Sequence, residues 1–127
     1  MMNDKHILLI EDEETIQEVV QIGIEIEVGW QVSLASSGSE GIALARLQQP
    51  DAILLDMMMP DMDGISTLLK LKASSHTQSI PVIFMTAKIQ AIDKNQFQHI
   101  GVAGVITKPF NIMTLASQIA KILQWES

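Results

Sequence analysis

The sequence repeats one pattern, in which a short apolar run is followed by a polar residue and then by a stretch with helical periodicity. Such alternation is typical of β/α units that build a parallel sheet. Five apolar runs are predicted to be strands: residues 7–10, 32–35, 52–55, 82–85 and 105–106. The first, third and fourth runs are continuously apolar, as strands buried on both faces should be. The second run alternates and the fifth is short, so these two strands are expected at the edges of the sheet.

The segment between the first two predicted strands is the hardest to interpret. Apolar residues recur with a period of two from Ile22 to Val28, which is typical of a strand. Parallel neighbours, however, need a crossover connection of about a dozen residues or more. Residues 13–28 are the segment available for that connection, so we predict a helix there and expect Gly29 to end it.

Helical spacing of apolar residues recurs after each of the other strands. The segments with this spacing are residues 42–47, 65–69, 89–100 and 112–123. With the first helix, they make five helices that connect five strands. The predicted fold is therefore a flavodoxin-like, doubly wound α/β domain with a parallel sheet in the order 2-1-3-4-5. One such domain accounts for residues 1–127.

Composition excludes several functions. The chain of 127 residues carries 15 acidic and 8 basic side chains, a formal charge of −7, and it contains no cysteine. Disulfides, thiolate zinc sites and cysteine nucleophiles are therefore excluded, and direct binding of nucleic acid is not expected. No apolar run approaches the roughly 20 residues that span a membrane, and the N-terminus lacks a secretion signal. We expect a cytoplasmic domain that contacts protein partners rather than a membrane.

Charged and polar residues follow four of the predicted strands at their carboxyl ends. These residues are Glu11 and Asp12 after the first strand, Asp56 after the third, Thr86 after the fourth and Lys108 after the fifth. In open parallel sheets, ligands bind in the crevice outside the carboxyl ends of the strands. We therefore expect these dispersed residues to converge at one edge of the sheet.

Three carboxylates at one place repel each other, by roughly 4 kcal/mol per close pair at an effective dielectric constant of about 20. Lys108 can compensate part of that charge. The remainder suits a hard divalent cation, and Mg²⁺ fits better than Ca²⁺ because it keeps several waters and needs only one or two carboxylates. With both cations present, the site can accept an anion such as a phosphoryl group, and Thr86 can donate its hydroxyl to one phosphoryl oxygen.

The same residues carry a family resemblance that spans nearly the whole chain. The motifs are Glu11-Asp12, Asp56-Met57-Met58-Met59-Pro60-Asp61-Met62-Asp63-Gly64, Thr86-Ala87 and Lys108-Pro109-Phe110. Acidic pairs and Lys-Pro dipeptides are common, but this ordered set after the appropriate strands is highly specific. The sequence resembles the CheY-like receiver domain of two-component response regulators.

The resemblance implies that Asp56 accepts a phosphoryl group from a phosphohistidine on a partner. It also implies a Mg²⁺ site formed by the side chains of Glu11, Asp12 and Asp56 and by the backbone carbonyl of Met58. For Glu11, direct and water-mediated contact with the metal both stay open. The residues that match Thr86 and Lys108 contact phosphoryl oxygens in this family.

The implied partners are a sensor histidine kinase or a histidine phosphotransfer protein, and a downstream protein that binds the face of the fourth helix, fifth strand and fifth helix. The protein would be a signalling module that catalyses only its own phosphotransfer and autodephosphorylation. The Lys108-Pro109 bond is expected to be cis, as is typical of the family. No output domain is recognised, so the chain is either a free-standing relay or a receiver from a larger protein.

One departure from the family concerns the signal that follows phosphorylation. Many receivers carry Tyr or Phe three residues before the lysine, but this sequence has Val105 and no tyrosine. A short aliphatic side chain has little to swing, so loop or helix displacement is expected to replace the aromatic movement. Met58 supplies no polar side chain two residues after Asp56, so no acceleration of hydrolysis is expected from that position.

Two other functions compete with the phosphorylated switch. A pseudo-receiver would keep the fold as a binding module without being phosphorylated. A phosphatase of the haloacid-dehalogenase type would also form an aspartyl phosphate, but such enzymes need a second aspartate two residues after the nucleophile, where this chain has Met58.

Overall fold

The computed structural model describes residues 4–59, 62–87 and 101–125. Its five parallel strands are β1 (His6–Ile10), β2 (Gln31–Ala35), β3 (Ala52–Asp56), β4 (Val82–Thr86) and β5 (Gly104–Thr107). The sheet order β2-β1-β3-β4-β5 confirms the predicted topology, with β2 and β5 at the edges.

The helices in these ranges are α1 (Glu14–Val28), α2 (Gly38–Gln48), α3 (Gly64–Ala73) and a C-terminal helix (Leu115–Leu123). The helix predicted over residues 89–100 lies outside the described residues. Among the residues described, no helix is long and apolar enough to cross a membrane.

The strands send alternate side chains into two apolar layers. Ile7 and Leu9 of β1 belong to a cluster that also contains buried residues of α1 and the C-terminal helix. Leu8 and Ile10 belong to the opposite cluster, with buried residues of α2 and α3. All residues of β3 and β4 are buried, whereas β5 has one buried, two half-buried and one exposed residue. The continuous apolar runs therefore reflect central strands that are covered on both faces, as predicted.

Helix α1 forms despite the period-two pattern of its second half. Val20 and Ile24, four residues apart, are fully buried against the sheet, whereas Ile22 and Ile26 are 55% and 80% exposed. The helix ends at Gly29, whose positive φ of 74° is the left-handed conformation that glycine adopts readily, and whose N–H donates to the carbonyl of Glu25. The topological requirement for a crossover thus outweighs the local alternation.

The start of α3 lies unusually close to the end of β3. Asp63 caps the helix, because its Oδ1 accepts a 2.7 Å hydrogen bond from the Ser66 N–H. The N–H of Gly64 donates to the carbonyl of Met57 at 2.9 Å. A Cβ at position 64 would lie 2.7 Å from the Met57 Cα and 2.9 Å from the Asp56 carbonyl oxygen, so this approach requires glycine.

An aromatic pair closes the opposite, amino-terminal edge of the sheet. Trp30, fully buried just before β2, meets Trp125 edge to face, with ring centroids 5.2 Å apart and an interplanar angle of 84°. The ammonium of Lys5, just before β1, lies 4.7 Å from the centroid of the Trp125 ring. These contacts attach the segment after the C-terminal helix to the entry points of β1 and β2.

We expect Gly64→Ala to lower the free energy of unfolding by about 1–3 kcal/mol, because the new methyl group collides with the backbone of Asp56 and Met57 rather than with a flexible side chain. Urea denaturation measures this loss. Ser66→Ala, an exposed change in the same helix, is the control and should be nearly neutral. Equal midpoints for the two variants would contradict the close approach.

Candidate functional site

The strand register brings the predicted residues to one edge of the sheet. Ile10 pairs with Leu55, so Glu11 follows β1 beside Asp56, which ends β3. Asp56 in turn pairs with Met85, and Thr86 is the next residue along β4. Lys108 follows the last residue of β5. The convergence predicted from the ends of the strands is therefore present in the fold.

Glu11, Asp12 and Asp56 form an acidic cluster. One carboxylate oxygen from each lies within 4.8 Å of those of the other two. Glu11 and Asp56 are buried, at 0% and 4% exposure, and Asp12 is half-buried. A compact group of anionic oxygen donors is the set that hard divalent cations prefer, so these residues fit a Mg²⁺ site chemically.

Lys108 joins two members of the acidic cluster. Its Nζ lies 2.9 Å from Glu11 Oε1 and 3.3 Å from Asp56 Oδ1. Burial by itself lowers the pKa of the Lys108 ammonium, but the hydrogen bond to Glu11 and the charges of Asp56 and Glu11 outweigh it, so the pKa lies above its usual range. Lys108 is therefore a fixed positive charge at neutral pH.

Glu11 is the most deeply buried of the acids. Burial raises the pKa of its carboxyl group, and the nearby charge of Asp56 adds to that rise. The hydrogen bond from Lys108 and the 3.1 Å bond from the Glu13 N–H to Oε2 act in the opposite direction. Both oxygens of Glu11 thus have protein donors, which makes it the anchor of Lys108 as well as a candidate metal ligand.

The two oxygens of Asp56 are not equivalent. Oδ1 accepts a 3.1 Å hydrogen bond from the Met58 N–H and also faces the Lys108 ammonium. Both donors therefore hold the same oxygen, Oδ1. The Met58 side chain is 72% exposed, so this residue meets the acidic cluster through its backbone.

Thr86 and the segment around Lys108 are joined through the backbone. The N–H of Lys108 donates to the carbonyl of Thr86 at 2.8 Å, and the Thr86 side chain is buried. The peptide bond between Lys108 and Pro109 is cis, as the resemblance implied. Val105 is half-buried and pairs with Phe84 in the strand register. The carboxyl ends of β4 and β5 are therefore tied together next to the acidic cluster.

Sequence reasoning missed one polar residue that supports this edge. Gln17 of α1 is only 7% exposed, and its Nε2 donates to the backbone carbonyl of Glu11 at 2.5 Å and to Ser36 Oγ at 3.2 Å. A signal was present in the sequence, because Gln17 shares the buried face of the helix with Val20 and Ile24 at spacings of three and seven residues. A buried amide needs hydrogen-bond partners, and here they lie at the ends of β1 and β2.

Comparison with known proteins agrees with this geometry. Residues 7–120 match the protein family described as Response regulator receiver domain. The chain is 36% identical over 118 residues to the probable transcriptional regulatory protein TcrX of Mycobacterium tuberculosis, a match that covers 93% of this chain and 49% of TcrX. It is also 36% identical over 118 residues to Protein PilH of Pseudomonas aeruginosa, covering 92% of this chain and 96% of PilH. The chain thus spans about half the length of TcrX and of similar transcriptional regulators.

A solved structure with the same fold contains a metal at its site. The receiver domain of sensor histidine kinase PA1611 from Pseudomonas aeruginosa, with magnesium coordinated in its active site cleft, superposes with a TM-score of 0.81. The two sequences are 27% identical, and the match covers 95% of this chain and 98% of that one. Such receiver domains are signalling modules rather than enzymes, and they partner with histidine kinases. The chain therefore belongs to the response regulator receiver domain family of two-component signal transduction.

Proposed function

We propose that this protein is a phosphorylation-dependent switch of a cytoplasmic two-component phosphorelay, and that residues 1–127 form one receiver domain. Asp56 accepts a phosphoryl group from a phosphohistidine on a sensor histidine kinase or a histidine phosphotransfer protein. The observation that carries this proposal is the Lys108 ammonium, placed 2.9 Å from Glu11 and 3.3 Å from Asp56 within a cluster of three carboxylates. An acidic cluster with a half-buried cation is suited to an exchangeable anion.

Asp56 is the nucleophile in this proposal. Because Oδ1 is held by Met58 and Lys108, Oδ2 attacks phosphorus. The new P–O bond forms as the P–N bond of the phosphohistidine breaks. The bonding electron pair stays on the imidazole nitrogen, and because the other ring nitrogen carries a proton, the leaving group is a neutral imidazole. The product is an acyl phosphate, an anhydride that water later hydrolyses.

Lys108 and Thr86 stabilise the transferred group. Phosphoryl transfer passes through a loose transition state whose charge lies on three equatorial oxygens, so catalysis consists mainly of positioning and charge compensation. Lys108 carries its charge on a side chain that already faces Asp56. Thr86 lies on the same edge of the sheet and donates its hydroxyl to a second phosphoryl oxygen.

The acidic cluster is the proposed Mg²⁺ site. The side chains of Glu11, Asp12 and Asp56 and the backbone carbonyl of Met58 would hold the ion, either directly or through water in the case of Glu11. A bound Mg²⁺ supplies positive charge that neutralises the phosphoryl oxygens and relieves the repulsion between the carboxylates. The protein residues orient the acceptor and retain Lys108 for the incoming group.

The signal then spreads through the tied ends of β4 and β5. Once Thr86 and Lys108 contact a phosphoryl group, their mutual backbone hydrogen bond moves both strand ends together. Val105 provides no aromatic ring to swing, so the readout is displacement of β5 and its neighbouring helices. We propose that a downstream protein binds the face of the predicted fourth helix, β5 and the C-terminal helix, of which the last two are described.

Phosphorylation gives the first test. Phosphoramidate, which like phosphohistidine contains a P–N bond, should add one phosphoryl group to the protein in the presence of Mg²⁺. Asp56→Asn should abolish the addition, because the amide is not a comparable nucleophile. Intact-mass spectrometry measures both, and hydroxylamine should remove the group, as expected for an acyl phosphate. Asp51→Asn, an exposed change at the other end of β3, is the control and should remain reactive. An unmodified wild type would favour the pseudo-receiver.

The Asp12→Asn substitution should raise the stability of the metal-free protein and weaken its stabilisation by Mg²⁺. Without divalent cations, we expect Asp12→Asn to be more stable than the wild type by about 1 kcal/mol, because one member of a repelling cluster is neutralised. Mg²⁺ at ten times its Kd should stabilise the wild type by about 1.4 kcal/mol and the variant far less. Thermal denaturation with and without MgCl₂ measures the effect. Glu18→Gln, an exposed change of equal charge, should keep the full response; equal responses in all three proteins would argue against the site.

Removing the Lys108 ammonium should lower both the stability of the protein and the rate of phosphoryl transfer to Asp56. Replacement of one partner in a fully buried ion pair costs about 3–5 kcal/mol, and since the Lys108 side chain is 19% exposed we expect about 2 kcal/mol for Lys108→Met. The rate of phosphorylation by phosphoramidate should fall about a hundredfold. Lys121→Met changes the net charge equally at an exposed site and serves as the control in urea denaturation and rate assays. A Lys108→Met protein as stable and reactive as Lys121→Met would refute the assignment.

A further inference from the structure

A side chain of α1 forms a hydrogen bond with the segment that carries two of the proposed metal ligands, Glu11 and Asp12. Gln17 is 7% exposed and donates through Nε2 to the Glu11 carbonyl and to Ser36 Oγ. The first bond joins a helix residue to the peptide six positions earlier, across the turn that leads out of β1. The second bond reaches the segment between β2 and α2. One amide group therefore links the ends of two adjacent strands.

The peptide that accepts this bond is the one that joins Glu11 to Asp12. Its carbonyl belongs to Glu11 and its N–H to Asp12. Because the peptide unit is planar, the direction of this carbonyl constrains the directions of both side chains. The ladder between β1 and β2 has its last bond at the Glu11 N–H, which donates to the Ala35 carbonyl at 2.9 Å. The Gln17 side chain then donates to the carbonyl of the same residue, Glu11, and so orients the peptide that follows the ladder.

The other acceptor is itself held in place. The Ser36 N–H donates to the carboxylate of Glu40 at 2.5 Å, and the Glu40 N–H donates to Ser37 Oγ at 3.1 Å at the start of α2. Ser36 is thus bound to the first turn of α2. Gln17, which donates to both Ser36 and Glu11, connects that turn to the segment after β1. The support for the acidic cluster extends through three successive hydrogen bonds into a second helix.

We propose that Gln17 is a positioning residue for the metal site, which aims the carboxylates of Glu11 and Asp12 by fixing the peptide between them. This inference rests on the proposed function, because it assigns Gln17 to the Mg²⁺ site of the phosphorylation switch. Gln17 touches neither the metal nor the phosphoryl group. Its effect on phosphorylation is therefore exerted through the Mg²⁺ requirement, and the maximal rate at saturating Mg²⁺ is little changed.

A second glutamine on the same helix provides a matched control. Gln21, one turn further along α1, donates through Nε2 to the Val32 carbonyl of β2 at 3.0 Å. It makes the same kind of bond from helix to backbone, but near the amino-terminal end of β2 and away from the acidic cluster. Gln17→Met and Gln21→Met each remove an amide donor and keep a side chain of similar length. They differ in which backbone carbonyl loses its partner.

The experiment compares wild type, Gln17→Met and Gln21→Met by calorimetric titration with MgCl₂ and by the Mg²⁺ dependence of phosphoramidate phosphorylation. We expect Gln17→Met to bind Mg²⁺ about tenfold more weakly, as is usual when a group that orients a metal ligand is removed. Gln21→Met should bind like the wild type. In the metal-free protein, the ¹⁵N amide shift of Asp12 should change in Gln17→Met and not in Gln21→Met, because the lost bond polarises that peptide.

Equal Mg²⁺ affinities of Gln17→Met and Gln21→Met would overturn the proposal. If Gln17→Met does not fold, Gln17→Asn decides, because its side chain keeps the amide but is one methylene too short to make the same bond to the Glu11 carbonyl: weaker Mg²⁺ binding supports the role and an unchanged affinity refutes it. The titration needs no phosphorylation. A wild type that binds Mg²⁺ but is never phosphorylated would refute the proposed function. The comparison of Mg²⁺ affinities would still test the role of Gln17 in the metal site.

Discussion

The geometry of the acidic edge depends on the position of one ammonium group. Lys108 and Glu11 are 97 positions apart in the chain, yet Nζ and Oε1 lie 2.9 Å apart, and the same nitrogen reaches Asp56. A fully buried glutamate is tolerated when a hydrogen-bonded cation compensates it. The ammonium thus allows two acidic residues to occupy adjacent strand ends, and it couples the end of β5 to the ends of β1 and β3. A change at any one of these ends alters the electrostatics of the other two.

Much of this arrangement could be predicted from the sequence, because it follows from rules that operate over whole strands. Continuous apolar runs identified the central strands, and alternation or shortness identified the edges β2 and β5. The rule that ligands bind at the carboxyl ends of parallel strands then predicted that Glu11, Asp56 and Lys108 converge. Helix α1 was predicted against its local pattern, because parallel pairing of β1 and β2 requires a crossover.

The details of the site depend on side-chain conformations, which periodicity does not encode. The sequence indicated that Lys108 would lie near three acids, but not that it pairs with Oε1 of Glu11 and Oδ1 of Asp56. Gln17 was missed because a single glutamine within a helix usually lies on the surface, and only its spacing from Val20 and Ile24 marked it as buried. The close approach at Gly64 likewise depends on the angle at which α3 leaves β3.

The aromatic pair at the amino-terminal edge has a consequence for spectroscopy. The sequence contains two tryptophans and no tyrosine, so Trp30 and Trp125 together account for essentially all near-ultraviolet emission of the protein. Both indoles lie at the end of the strands opposite Asp56, and one of them belongs to the tail that follows the C-terminal helix. Fluorescence intensity therefore reports the contact of that tail with the amino-terminal edge of the sheet. Because the acidic cluster lies at the other edge, quenching by a paramagnetic or heavy ion bound there is not a suitable measure of metal occupancy.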